Sequence, residues 1–385
     1  GILPHSPLGA RVDFTTPQSA PSRRQGDPMI RRAFALLSLA ALTTGCKDSK
    51  CHIDDLAPED CTKADCLSWG GSDWTDSGFA NPLAAGPGGE VAVRAQDGVQ
   101  LLDPDGKPLW TTELTAVLAL AIAMDGDVLA LTADFERDEM HLSRLGPTGE
   151  LEWTYTYENL EHSPHLLVDH DNIAWFTAPL GRDAAVIGID ENGVEHTILR
   201  PETRSGKPFG VIEGLALAPD DMHLVITGAA GNPNSQRTAG RSSGTGSRAT
   251  GPTYTTLGLD SDGNQAFRFQ SGLQGATPGP CGTFFGVAEG RPNNLLQRVD
   301  ADGTVLWERE LDSGPEFEDI AWDGQDTLYV LESAYNGTRL HRFHVDGARE
   351  HAEVLVEQRG MERMAMTRDG QLITNVDGEV TAWRR

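Results

Sequence analysis

Aromatic residues make up only 6% of these 385 residues, and the one extended apolar run, Ala33–Leu42, is ten residues long. A bilayer-crossing helix takes about twenty, so a membrane-embedded body is excluded. Basic residues are also in deficit: 31 Lys and Arg stand against 57 Asp and Glu, a formal charge of −26. Binding to nucleic acid needs Lys and Arg to neutralise phosphates, so that partner is excluded. The excess of acid suits a self-repelling surface. Five cysteines in this length are too few for a disulfide-built scaffold. Neither a Walker-type phosphate loop nor His-Glu-x-x-His is present, which removes the motif basis for nucleotide or zincin chemistry.

The chain opens on a segment read as targeting rather than fold. Met29 is followed by Arg31 and Arg32, the apolar run, and then Thr43-Thr44-Gly45-Cys46. A basic start, a short apolar stretch and small residues before a cut describe a signal peptide over residues 29–45. A cysteine directly after small residues resembles the bacterial lipobox, with Thr43 in place of its usual Leu. The resemblance implies that Cys46 is lipidated and becomes the mature N-terminus; the alternative is plain secretion with Cys46 in a disulfide. Lys47 follows, not the Asp of inner-membrane retention, which implies the outer membrane. Residues 1–28, rich in Pro, Ser and Arg, read as upstream of the true start. Removing residues 1–45 would take away five Arg and two Asp, leaving a charge of −29.

With Cys46 acylated, Cys51, Cys61, Cys66 and Cys281 remain, an even set expected to form two disulfides with its pairing open. Their spacing does not make a paired Cys-x-x-Cys zinc signature. Residues 46–64 are therefore read as a cysteine-containing tether.

From there on the chain repeats. Leu102-Asp-Pro-Asp-Gly-Lys-Pro-Leu-Trp110 aligns with five later segments on Gly106, Gly149, Gly193, Gly263, Gly303 and Gly347, at spacings of 43, 44, 70, 40 and 44. A Gly/Ser-rich insert at 229–252 accounts for the long interval. Asp-Gly or Asn-Gly supplies the positive φ of a tight hairpin, and a bulky residue four places on, as in Trp110, Trp153, Phe267 and Trp307, can cover a neighbouring sheet. Further apolar runs precede each turn, such as Val128–Leu131 and Thr327–Leu331. Four short strands per forty-odd residues predict propeller blades.

Val376-Asp-Gly378 matches Gln96-Asp-Gly98, which would put the seventh turn glycine one residue past the end. The missing outer strand is expected from Cys66-Leu-Ser-Trp69, with Ser77–Leu83 as the following inner strand. Residues 65–385 are thus predicted to be an all-β, seven-bladed propeller closed by an N-terminal strand, with six or eight blades as alternatives. Closure removes the edges that invite aggregation.

The Asp, Gly and Trp spacing of Asp103, Gly106 and Trp110 resembles the pyrroloquinoline-quinone-like propeller repeat, in degenerate form: Gly146, Thr197 and His344 replace expected residues. That resemblance includes lipid-anchored scaffolds of outer-membrane protein assembly. It does not imply the quinone, because the adjacent cysteine pair of quinone dehydrogenases is lacking.

Candidate sites lie in the blade-to-blade connections, where propeller mouths gather binding residues. Glu161 and His162 begin the densest His and carboxylate cluster, Glu161–His165 with Asp169–Asp171; Glu202 stands beside Arg204; and Asp312–Asp319 contains Glu316 and Glu318. The Asp-x-Asp-Gly segments at Asp103, Asp260 and Asp300 lack the later Glu that completes a calcium loop and read as turns, so no metal or cofactor is expected. The insert carries Arg237, Arg241 and Arg248 and reads as a flexible loop. The expectation is a monomeric, exported, lipid-anchored module that binds or scaffolds an envelope protein, peptide or glycan without catalysis. The alternative is a metal-dependent hydrolase or lyase resembling the lactonase-type propellers.

Overall fold

Each repeat in the sequence becomes one small antiparallel sheet. The computed structural model describes residues 66–69, 82–95, 98–160, 164–217, 223–230, 254–260, 263–271, 273–288, 294–300, 303–311, 316–334, 337–356, 363–367, 370–376 and 379–383. The leader, Cys46, Cys51, Cys61 and residues 231–252 of the insert lie outside them. By internal contacts the chain divides into Gly1–Lys50 and Cys51–Arg385; the fold is that of the second unit.

The strands are β1 (Cys66–Trp69), then blade I with β2 (Leu83–Ala85), β3 (Val91–Ala95), β4 (Gly98–Leu102) and β5 (Pro108–Glu113). Blade II holds β6 (Val117–Ile122), β7 (Val128–Asp134), β8 (Glu139–Leu145) and β9 (Leu151–Glu158). Blade III holds β10 (Leu166–Val168), β11 (Ala174–Leu180), β12 (Asp183–Ile189) and β13 (Glu195–Leu199). Blade IV holds β14 (Val211–Leu217), β15 (His223–Ala229), β16 (Tyr254–Asp260) and β17 (Gln265–Ser271). Blade V holds β18 (Leu273–Pro278), β19 (Phe284–Ala288), β20 (Leu295–Val299) and β21 (Val305–Glu310). Blade VI holds β22 (Glu316–Trp322), β23 (Thr327–Ala334), β24 (Gly337–His344) and β25 (Arg349–Val356). Blade VII takes β26 (Arg363–Met366), β27 (Leu372–Val376) and β28 (Glu379–Trp383), and β1 is its fourth strand.

The result is seven four-stranded sheets in a ring, a seven-bladed β-propeller. The first strand of each blade lies innermost, and neighbouring inner strands touch all the way round, including β2 with β26. Closure is by β1, which runs antiparallel to β28 with Cys66 opposite Trp383 and Trp69 opposite Val380. Two expectations shift. The inner strand of blade I is Leu83–Ala85 and not Ser77–Leu83; residues 77–81 lie outside the described ones. Glu316 and Glu318 sit in the inner strand β22 and not in a connection, because the apolar alternation Phe317, Ile320 and Trp322 packs against blade V.

The turn aspartates spend their carboxylates locally. Asp103 Oδ1 accepts from the amides of Asp105 and Lys107 at 3.0 and 2.8 Å, and Asp190 Oδ1 accepts from Asn192 and Val194, both at 2.9 Å. Each such Asp caps its own hairpin. The bulky residue after the turn reaches the next blade. Trp110 lies against Gly149 and Trp153 against Gly193, where a Cβ would come within 2.9 Å of ring atoms. With φ of +84° and +76° at these positions, glycine is required twice over. In blade IV the covering residue is Phe269, against Gly303, and not Phe267; Phe267 lies across Gly258 of its own sheet.

Strand direction gives the ring two faces. One, the turn face, carries the hairpins that join first to second and third to fourth strands. The other, the connection face, carries the blade-to-blade connections and the hairpins between second and third strands. Chain entry at Cys66, beside Trp383, is on the turn face.

Candidate functional site

Inner strands of a propeller share one register, so equivalent residues form layers around the central channel. Three residues before the last paired residue of each inner strand stand Pro82, Ala119, His165, Gly214, Gly275, Asp319 and Arg363, in blades I to VII. The layer lies toward the connection face. Four of its seven positions are Pro, Ala or Gly, and three carry side chains with chemistry. In a seven-membered ring, blade III lies across from blades VI and VII. His165 therefore opposes the Asp319 and Arg363 pair, with small residues on either side of it.

The backbone fixes these groups. His165 donates its amide to Thr177 Oγ1 at 2.8 Å and accepts from the Thr177 amide at 3.0 Å. Asp319 accepts from the Met364 amide of the neighbouring inner strand at 3.0 Å and from the Ile320 amide at 2.9 Å. All three residues are half-buried, walled by protein yet reachable by water, as groups inside a channel should be. Burial lowers the His165 imidazole to about 4, and the charge on Arg363 pushes the same way. Burial raises the Asp319 carboxyl, opposed by Arg363 and by its two backbone donors. Near neutral pH the layer offers a neutral imidazole facing a guanidinium and a carboxyl group.

The imidazole makes a pH signature. His165 takes a proton more readily in the unfolded chain than in the folded one, where its pKa is about 4. Its contribution to stability is complete above pH 6.5 and is lost as pH falls toward 4, a ceiling of about 3 kcal/mol by linkage. Asp319, shifted upward, acts with the opposite sign: it favours the fold at low pH and loses that contribution as pH rises. His165→Gln should therefore flatten the fall in Tm between pH 6.5 and 4, while Asp319→Asn should steepen it. Parallel melting curves for all three proteins across that window would contradict the assignment.

The residues singled out from sequence scatter. Glu161, His162 and Asp312 lie outside the described residues, and the side chains of Glu316 and Glu318 are not described. Glu202 and Arg204 are exposed on the connection from β13 to β14, where Glu202 bridges to Pro208 and lines a groove between blades III and IV. Cys66 lies at the turn-face end of β1, and Cys281 in a 3-10 turn, Pro280–Gly282. His165 and Asp319 belong to stretches noted in the sequence, but Arg363 carried no local signal there. Counting back from the end of each inner strand would have brought the three together.

Two other polar groups stand apart from the channel. Asp134, Glu139 and His141, at the β7–β8 hairpin on the connection face, place ligand atoms within 4.8 Å of one another. His141 Nδ1 pairs with Thr156 Oγ1 at 3.0 Å, leaving Nε2 at 3.7 Å from Glu139. In blade VI, fully buried Glu332 and His341 meet at 2.5 Å, and Arg349 reaches the other ring nitrogen at 2.7 Å. An arginine donating to Nδ1 puts the ring proton on Nε2, facing the carboxylate, and the trio knits three strands together.

No known protein family and no curated protein matches the chain. Solved structures do. A streptogramin B lyase aligns with a TM-score of 0.59 and 13% identity over 83% of this chain and 97% of its own. A chain of a mitotic checkpoint complex aligns with a TM-score of 0.59 and 13% identity, covering 96% and 99%. A Dos1 propeller aligns at 0.51 with 11% identity, covering 83% and 94%. At these identities the likeness is one of fold: a β-propeller, which serves a lyase and a checkpoint assembly alike.

Proposed function

We propose that the chain is an exported, lipid-anchored propeller that binds or scaffolds an envelope partner at its connection face, without catalysis. The observation that carries this reading is the position of β1. The chain enters the ring at Cys66 on the turn face, twenty residues after Cys46. A segment of that length spans at most roughly 70 Å. Lipid attached at Cys46 would hold the turn face toward the membrane and turn the His165, Asp319 and Arg363 layer away from it. Lipoprotein modification supplies several acyl chains, which makes such attachment stable.

A photo-crosslinking residue at Glu136, exposed on the β7–β8 hairpin of the connection face, should capture a discrete partner in intact cells. The same residue at Asp346, on a turn-face hairpin, should not. Cys46→Ser should release the protein from the membrane fraction. Capture from the turn face alone, or unchanged membrane retention of the serine variant, would contradict the proposal. The second reading, a metal-dependent hydrolase or lyase, is favoured by Asp134, Glu139 and His141 on the same face. Stoichiometric divalent metal in the purified protein, lost together with an activity in His141→Ala, would establish it over the first.

A further inference from the structure

The hairpin between β7 and β8 gathers three metal-ligating side chains on one face. Asp134 ends β7, Glu139 opens β8 directly opposite it, and His141 lies two residues on, opposite Thr132. Side chains alternate along a strand, so these three point the same way. Leu131, Met140 and Leu142 take the other face into the core toward blade III, which leaves the polar group on the side toward blade I. Each is partly covered, with side-chain exposures of 31% at Asp134, 24% at Glu139 and 25% at His141. On β9 the register adds Glu158 across from Glu139 and Thr156 across from His141. Three carboxylates therefore stand in a row over three strands, where like charges directly opposite one another destabilise a sheet. Arg137 pairs with Asp134 at 3.6 Å, but its side chain is 72% exposed, and solvent leaves little of such a pair.

Distances separate a shared ion from a hydrogen bond here. His141 Nε2 lies 3.7 Å from Glu139 Oε2, too far for a hydrogen bond. Two atoms bound at about 2.1 Å to one tetrahedral zinc stand about 3.4 Å apart, so a small shift brings both to one ion. The ligand atoms of all three residues already lie within 4.8 Å of one another. Outer partners orient them. Asp134 Oδ1 accepts from the amides of Glu136 and Arg137 at 3.0 and 3.1 Å, which leaves Oδ2 for the ion. His141 Nδ1 meets Thr156 Oγ1 at 3.0 Å. With Nδ1–H donated to that hydroxyl, Nε2 turns its lone pair toward the Glu139 carboxylate, and a cation between them joins the two. A metal-bound imidazole is held by just such a contact at its other nitrogen.

We infer that Asp134, Glu139 and His141 form a divalent transition-metal site, zinc foremost, with a remaining coordination position open to water on the connection face. One imidazole nitrogen beside carboxylate oxygens favours zinc over calcium and magnesium, which take oxygen sets. The site requires no catalysis and so goes beyond the scaffold reading. Zinc bound without turnover leaves that reading standing; failure to bind zinc leaves the channel layer untouched and removes the ground for the metal-dependent alternative.

Zinc chloride titrated into the full chain carrying ¹⁵N-imidazole histidine should shift the Nε2 signal of His141 saturably, and calcium chloride should leave it in place. By calorimetry, His141→Gln should weaken zinc binding roughly 100-fold, and Thr156→Val, which removes only the partner of Nδ1, roughly tenfold. His170→Gln, on an exposed turn-face hairpin, should bind like the native chain. Should His141→Gln fail to fold, Glu139→Gln gives the same comparison. The inference is overturned if the His141 signal stays unmoved up to about 1 mM zinc, or if the ligand variants bind as tightly as the native protein. The contact between His141 and Glu139 would then be a long ion pair to a protonated ring and nothing more.

Discussion

A chain beginning at Gly71 loses its cooperative fold. Without β1, the outer edge of β28 is unpaired from Val380 to Trp383, and blade VII is left with three strands. The inter-strand hydrogen bonds over four residue pairs, at about 1 kcal/mol each, set a lower bound of about 4 kcal/mol. That is roughly 10 °C in Tm for a chain of this size. The true loss is larger, because the exposed edge also offers a template for association. Thermal unfolding followed by circular dichroism, with light scattering for aggregation, measures both. A peptide covering residues 64–72 added in trans should restore solubility and part of the Tm. A truncated protein that melts like the full chain would mean that the C-terminal sheet completes itself.

The second large effect is expected at Arg144. Its side chain is 5% exposed and meets three carboxylates: Asp127 at 2.7 Å, Asp125 at 2.5 Å and Glu152 at 3.3 Å. Asp125 and Asp127 belong to the first hairpin of blade II, while Arg144 lies on β8 and Glu152 on β9, so one guanidinium ties that end of the sheet together. Arg144→Met keeps the unbranched apolar stem and removes the guanidinium, leaving buried Asp127 without its cation. Breaking a buried pair from one side costs about 3–5 kcal/mol, readable as a lower urea midpoint with unchanged slope. Adding Asp127→Asn to Arg144→Met should recover much of that loss. If Arg144→Met alone costs less than about 1 kcal/mol, the network contributes only surface-level pairing.

The fold was legible because its signals are local and repeated. Turn glycines adopt a backbone that few other residues can, and six of them, five preceded by Asp or Asn, reveal the blade period. Closure could be read from Val376-Asp-Gly378 matching Gln96-Asp-Gly98, which placed the last turn one residue past the end. Phe269 escaped because residues two apart on β17 face the same side, so the turn alone could not say which of Phe267 and Phe269 reaches the next blade. Glu316 and Glu318 were misplaced because acidic residues suggest loops, whereas the apolar Phe317, Ile320 and Trp322 around them hold the segment as a strand.

The channel layer was harder to see. His165, Asp319 and Arg363 are about 45 to 200 residues apart in sequence, share no motif, and meet only when ring closure sets three strand ends at one height. A unit of seven repeats brings such positions together by register rather than by spacing. The groove between blades III and IV lay between these extremes. Thr197 was visible as a departure from the tryptophan column, but only packing shows that Leu199 lies against Gly263 there and Trp175 covers Gly188.

Hydrogen exchange on the full chain tests ring closure most directly. Amides of residues 66–69 should exchange as slowly as those of 379–383 and be released together with them as denaturant is raised. Exchange of 66–69 at the rate of an unstructured peptide, while 379–383 remain protected, would show that the ring closes without the N-terminal strand.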